Sequence, residues 1–108
     1  MYLESNKKMP LKNREKNTFL FCFDEKEINR GGGVIYVYEA FRTPLSYNYS
    51  SLVSLIIREK YSDDKMQAII NNYLMEINDS EHKEEFLKMQ EWRMHAKEIA
   101  KIIINDNI

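Results

Sequence analysis

The sequence predicts an α+β fold: an antiparallel β-hairpin of two to three strands, then three α-helices, the last one long. Three observations carry this. Residues 18–23, TFLFCF, and 34–42, VIYVYEAFR, are rich in aromatic and β-branched side chains and alternate with period two. After Thr43-Pro44 the apolar spacing lengthens to the helical i, i+3, i+4, i+7 pattern. Ser62-Asp63-Asp64 is a capping, acidic helix start, and Asn78-Asp79-Ser80 breaks the helix and restarts it.

Taken in order, residues 1–17 read as a polar arm or long lead-in. ESNKKMPLKNREKN has neither a strand nor a helix period, and Tyr2 and Leu3 are its apolar anchors. Residues 18–108 read as one α+β domain. In the first strand Phe19, Phe21 and Phe23 face one way and Leu20 and Cys22 the other, so both faces call for cover. Residues 24–33, DEKEINRGGG, read as a connection longer than the two-residue ideal. In the second strand Val34, Tyr36, Tyr38 and Ala40 alternate with Ile35, Val37, Glu39 and Phe41.

The first helix is expected over residues 49–61, with Leu52, Leu55 and Ile56 on one stripe and Val53, Ile57 and Tyr61 beside it. The second has the clearest stripe: Met66, Ile69, Ile70, Tyr73, Leu74 and Ile77. The third runs from about Glu81 to about Asn105 and turns Phe86, Met89, Trp92, Ala96, Ile99 and Ile103 to one side.

Composition narrows the setting. The net charge is −1, too small to recruit nucleic acid or an acidic membrane surface by a global field. Residues 1–48 carry eight Lys and Arg against six Asp and Glu; residues 49–108 carry eight against eleven. Cys22 is the only cysteine, so no internal disulfide is possible and a reducing, cytoplasmic compartment is expected. The first 17 residues lack the apolar run of a secretory signal, and no run of apolar residues is long enough to span a membrane.

No set of residues makes a catalytic signature, and a non-enzyme is expected. Arg30-Gly31-Gly32-Gly33 precedes a strand, whereas phosphate loops follow one and open into a helix; a hairpin loop is the simpler reading. Glu84, Lys88, Glu91, His95 and Glu98 share a helical face, but such a row is ordinarily solvated and laced with i,i+4 pairs. His82 and His95 fall on different sides of that helix, so no metal and no cofactor are expected. Cys22, in an apolar strand, reads as a small buried hydrophobe.

The segments NREKNTFLFCFDEKE and GGGVIYVYEAFR, with the tail EEFLKMQEWRMHAKEIAKII, resemble small proteins of gut-bacterial genomes and prophages. In that group a strand of the form Y-x-Y-E-x, here Tyr36, Tyr38 and Glu39, precedes a helical tail. The resemblance covers much of the chain and implies a mobile-element protein, cytoplasmic or virion-associated, that works by protein contact. It transfers no catalytic residue.

Two function classes follow as expectations. The first is a protein-interaction or assembly module, homodimeric or docking another protein through its β region. A lone hairpin leaves one apolar face and both edges without cover, and Phe19, Phe21, Tyr36 and Tyr38 are the candidate interface residues; the competing arrangement is internal, with the arm folded back, Tyr2 and Leu3 as the cover and the sheet completed within a monomer. The second is a nucleic-acid-associated factor using the cationic arm: Lys7, Lys8, Lys12, Arg14 and Lys16.

Overall fold

A computed structural model describes residues 1–106, and it is α+β in the predicted order. Four strands come first: β1 (Tyr2–Ser5), β2 (Lys12–Arg14), β3 (Thr18–Arg30) and β4 (Gly33–Pro44). Three helices follow: α1 (Tyr49–Arg58), α2 (Asp63–Met75) and α3 (Ser80–Asn105). The chain divides into two compact units between Asn48 and Tyr49.

The sheet unit corrects the expected strand number: it has four strands, all antiparallel, in the order β1-β4-β3-β2. The two additional strands come from the segment read as a polar arm. β1 pairs Tyr2–Ser5 with Glu39–Tyr36, and β2 pairs Lys12–Arg14 with Phe21–Phe19. Both are short and polar because each is an edge strand with one side to solvent, where charge discourages further pairing.

The central hairpin is longer than expected, and its connection is shorter. The run DEKEINR continues β3 to Arg30, and the turn is Gly31-Gly32 alone. Both glycines have positive φ (59° and 82°), as the two-residue turn that matches strand twist requires. A β-bulge between Phe23 and Lys26 resets the register, with Asp24 in the left-handed region at φ 54°. The bulge places two residues, Asp24 and Glu25, opposite the single Tyr38, which is why the charged run can stay in the ladder while the alternation breaks.

One face of the sheet is aromatic. Phe21 stacks on Phe41 at 5.3 Å, Phe23 meets Phe41 edge-on at 6.1 Å, and Tyr47 sets its edge to both Phe19 and Phe21. Phe21 and Phe41 are fully buried. The opposite face holds Leu20, Cys22, Tyr38 and Ala40, with Met1, Leu3, Met9 and Tyr36 packed against them.

In the helical unit α1 buries Leu52, Ile56 and Ile57. α3 buries Met89, Trp92, Ala96, Ile99, Ala100 and Ile103, the expected stripe with Ala100 added and Phe86 only half-buried. The Trp92 indole N–H donates to the Ile56 carbonyl at 3.1 Å, pinning α3 to the C-terminal end of α1 with a buried hydrogen bond. Ser62 caps α2 by accepting the Lys65 amide, and Asp79 caps α3 by accepting the His82 amide.

Truncating Trp92 or Ile99 to Ala should therefore cost about 2–5 kcal/mol. Glu91→Ala and Glu98→Ala, at exposed positions of the same helix, should stay within about 0.5 kcal/mol. Chemical denaturation of the four variants separates the two classes, and equal costs would contradict the orientation of α3.

Candidate functional site

The strand order dictates a strap. β1 and β2 lie on opposite edges, three strand spacings or about 14 Å apart. Residues 6–11 must bridge them and extend to at most about 20 Å. The connector accordingly crosses the Leu20/Cys22/Tyr38/Ala40 face instead of looping around it, and Met9 packs there. Ser5 opens the crossing with a turn: its hydroxyl donates to the Lys7 carbonyl at 2.7 Å and accepts the Lys7 amide. Asn13 closes it, donating to Pro10 O and Leu20 O.

At the centre is Tyr38. Its hydroxyl accepts the Met9 amide at 2.8 Å and donates to Glu25 Oε1 at 2.7 Å. Burial pushes its phenol pKa up, and the bond to Glu25 adds to the rise. Burial likewise pushes up the Cys22 thiol, which leaves little thiolate at neutral pH. Two bidentate ion pairs secure the arm. Arg30 holds Glu4 at 3.1 and 3.3 Å, and Arg42 holds Glu15 at 2.9 and 3.2 Å. The Arg42 hydrogen bond, with a further one from Thr18, draws the Glu15 pKa below its ordinary value.

Of the four candidate interface residues, Phe21 and Tyr38 are buried, and Phe19 and Tyr36 are half-buried. In this fold neither Phe21 nor Tyr38 is open to a docking partner, because the arm and the aromatic cluster close around them. The five arm cations do not form one patch. Lys8 reaches Glu25 at 3.7 Å and lies over the Tyr36 ring, on the strap. Lys12 lies 4.1 Å from the Phe19 ring centroid and also faces Tyr47, and Arg14 lies 5.5 Å from Phe19, on β2. Lys7 and Lys16 are exposed.

Two features of the helical unit were not singled out from the sequence. The stripe of α2 is largely uncovered. Ile69 is buried, Met66, Ile70 and Tyr73 are half-buried, and Leu74 and Ile77 are 66% and 59% exposed. Met75, beside them, is 82% exposed. The stripe was legible, but its exposure was not. The second feature lies at the α2–α3 turn, where Glu76, Asp79 and His82 bring ligand-type atoms within 4.8 Å of one another. His95 lies 3.8 Å from the Glu98 carboxylate on its own helix.

No helix among the described residues is long and apolar enough to cross a membrane. No protein-family model, curated protein or solved structure matches the chain.

Two outcomes test the strap. Tyr38→Phe keeps the ring and removes the hydroxyl that the Met9 amide needs, so it should cost about 1–3 kcal/mol, and unchanged stability would contradict the anchor. For Glu15 the folded pKa lies below the unfolded one. Its contribution is present above the unfolded value and disappears as pH falls through the folded value. Glu15→Gln should therefore lower the denaturation midpoint at neutral pH, with the difference from the parent closing through the acidic carboxylate range. A difference independent of pH would refute the pairing.

Proposed function

We propose that the chain is a non-enzymatic protein-docking module whose helical unit receives a cationic, amphipathic segment of another protein along α2. The observation that carries this is the α2 stripe. A sequence that spends six apolar residues at helical spacing ordinarily buries them, yet only Ile69 is buried here. Leu74 and Met75 at the end of the helix and Ile77 just past it are exposed instead, and large apolar side chains exposed close together in the chain are the kind of feature that marks interaction sites.

Charge supports the choice of partner. Residues 63–85 hold seven Asp and Glu against two Lys, which concentrates the acidic excess of the second half of the chain around this stripe. An apolar strip in an acidic stretch of sequence suits an amphipathic helix with basic flanks, read by apolar anchors at i, i+3, i+4 and steered by charge. The bacterial or prophage setting implied by the resemblance, and a cytoplasmic or virion-associated location, belong to the same reading.

The two other readings receive less support. Self-association through the sheet loses part of its motive, because β1 and β2 occupy the outer edges along Tyr36–Glu39 and Phe19–Phe21. Nucleic-acid binding through the arm would require Lys8, Lys12 and Arg14 to leave the carboxylate and rings they already engage.

The test uses synthetic helical peptides of Leu with Lys and of Leu with Glu as probes, followed by fluorescence anisotropy. The Leu/Lys peptide should bind the full chain, more weakly as salt rises, and the Leu/Glu peptide should not. Leu74→Ser with Met75→Ser should weaken binding by about tenfold or more while leaving its salt sensitivity. Binding that ignores this double variant would sink the assignment of the surface.

A further inference from the structure

We propose that the α2–α3 turn is a binding site for a divalent transition metal ion of the zinc type, with Glu76, Asp79 and His82 as ligands. The site is independent of the docking reading. Glu76 is the C-cap of α2, Asp79 the N-cap of α3, and His82 lies in the first turn of α3. The backbone between them is fixed: the Glu76 amide bonds Asn72 O, the Asp79 amide bonds Glu76 O at 2.9 Å, and the His82 amide bonds Asp79 Oδ1 at 3.0 Å. Three side chains with metal-ligating atoms are thus held on a short segment whose ends are two capped helices.

The imidazole is the second observation. His82 Nδ1 is closed to solvent and makes no hydrogen bond, although its side chain as a whole is 29% exposed. It points between the two carboxylates, 3.7 Å from Glu76 Oε2 and 3.9 Å from Asp79 Oδ1. Neither distance is a hydrogen bond, and a proton on Nδ1 would draw one carboxylate in to about 2.8 Å and leave the other. Near-equal, longer separations suit an ion seated between the three groups. In a tetrahedral zinc site with bonds of about 2.0–2.1 Å, neighbouring ligand atoms are about 3.3 Å apart. Reaching that spacing asks the two His82 separations to shorten by about half an ångström and the carboxylates, within 4.8 Å of each other, to draw together around the ion, with the exposed Glu76 side chain making most of the movement.

The donor set selects the ion class. One imidazole nitrogen with two carboxylates favours zinc, cobalt or nickel over calcium or magnesium, which take oxygen ligands. Three protein ligands leave a fourth position for water or for a donor group from a bound partner. Asp79 keeps its capping role, since a carboxylate has a second oxygen and lone pairs to spare.

Zinc chloride titrated into the full chain against a chromophoric chelator tests this, with cobalt absorption reporting coordination geometry. One ion per chain is expected, with a tetrahedral cobalt spectrum. His82→Gln should abolish uptake. Asp79→Asn, which caps a helix as well as Asp does, should weaken uptake by about tenfold or more with an unchanged melting temperature in the absence of metal. His95→Gln should bind zinc like the parent. Substoichiometric uptake, uptake unaffected by His82→Gln, or equal loss in His95→Gln would each overturn the site, the last by showing binding at surface histidines only.

Discussion

The sheet unit depends on one hydroxyl. Tyr38 sits on the inner strand β4 under the strap, and its oxygen takes the Met9 amide on one side while its proton goes to Glu25 on the other. Without that oxygen, a part-buried amide of the strap would lie over an apolar face with no acceptor, an arrangement that folding rarely tolerates. The bond also sets where the crossing begins and ends. With Met9 fixed over Tyr38, Leu3 and Met1 reach the register of β4 on one side, and Leu11 meets the Cys22 amide on the other. The Glu25 end of the network exists only because the bulge after Phe23 carries that carboxylate to the strap side of the sheet. Bulge and strap therefore meet at a single polar group at the centre of an apolar face, between the two edge strands.

How much of this was legible varies by element, for physical reasons. TFLFCF and VIYVYEAFR announce strands because both faces of each are buried, and period two survives in the choice of side chains. Ser62 is visible as a cap, and Asn78-Asp79-Ser80 as a break and restart, because both are local chemistry. β1 and β2 carry no strand signal of their own: YLES and KNR are too short to show a period, and their strand state comes from pairing with residues 5 to 37 positions away. The extension of β3 through DEKEINR is hidden for a related reason, since a charged ribbon held by backbone bonds to β4 carries no apolar signal.

The Glu76, Asp79 and His82 grouping escaped because helical periodicity looks for ligands along one helix face. These three residues straddle the end of one helix and the start of the next, and only the turn geometry brings them together. The α2 stripe is the opposite case. Its spacing is plain, but periodicity reports which side of a helix prefers burial and does not say whether the same chain supplies the cover.

That last distinction bears on why α2 is formed at all. Its burial is slight, with Ile69 the one fully covered side chain and a stacked Tyr73–Phe86 pair at 4.4 Å beside it. A helix of 13 residues with that much packing would be marginal on propensity alone. Polar chemistry at its two ends compensates. Ser62 and the acidic pair Asp63 and Asp64 hold the first turn against the helix dipole, and the Glu76–Asp79 turn closes the last one directly into the cap of α3. A helix secured at its ends can keep an apolar stripe ready in the bound conformation without burying it. A partner then meets a surface whose ordering cost has already been met within the chain, so more of the contact energy appears as affinity. The same caps that hold α2 open also set the spacing of the three side chains at its C-terminal turn, so both proposed sites rest on one structural cause.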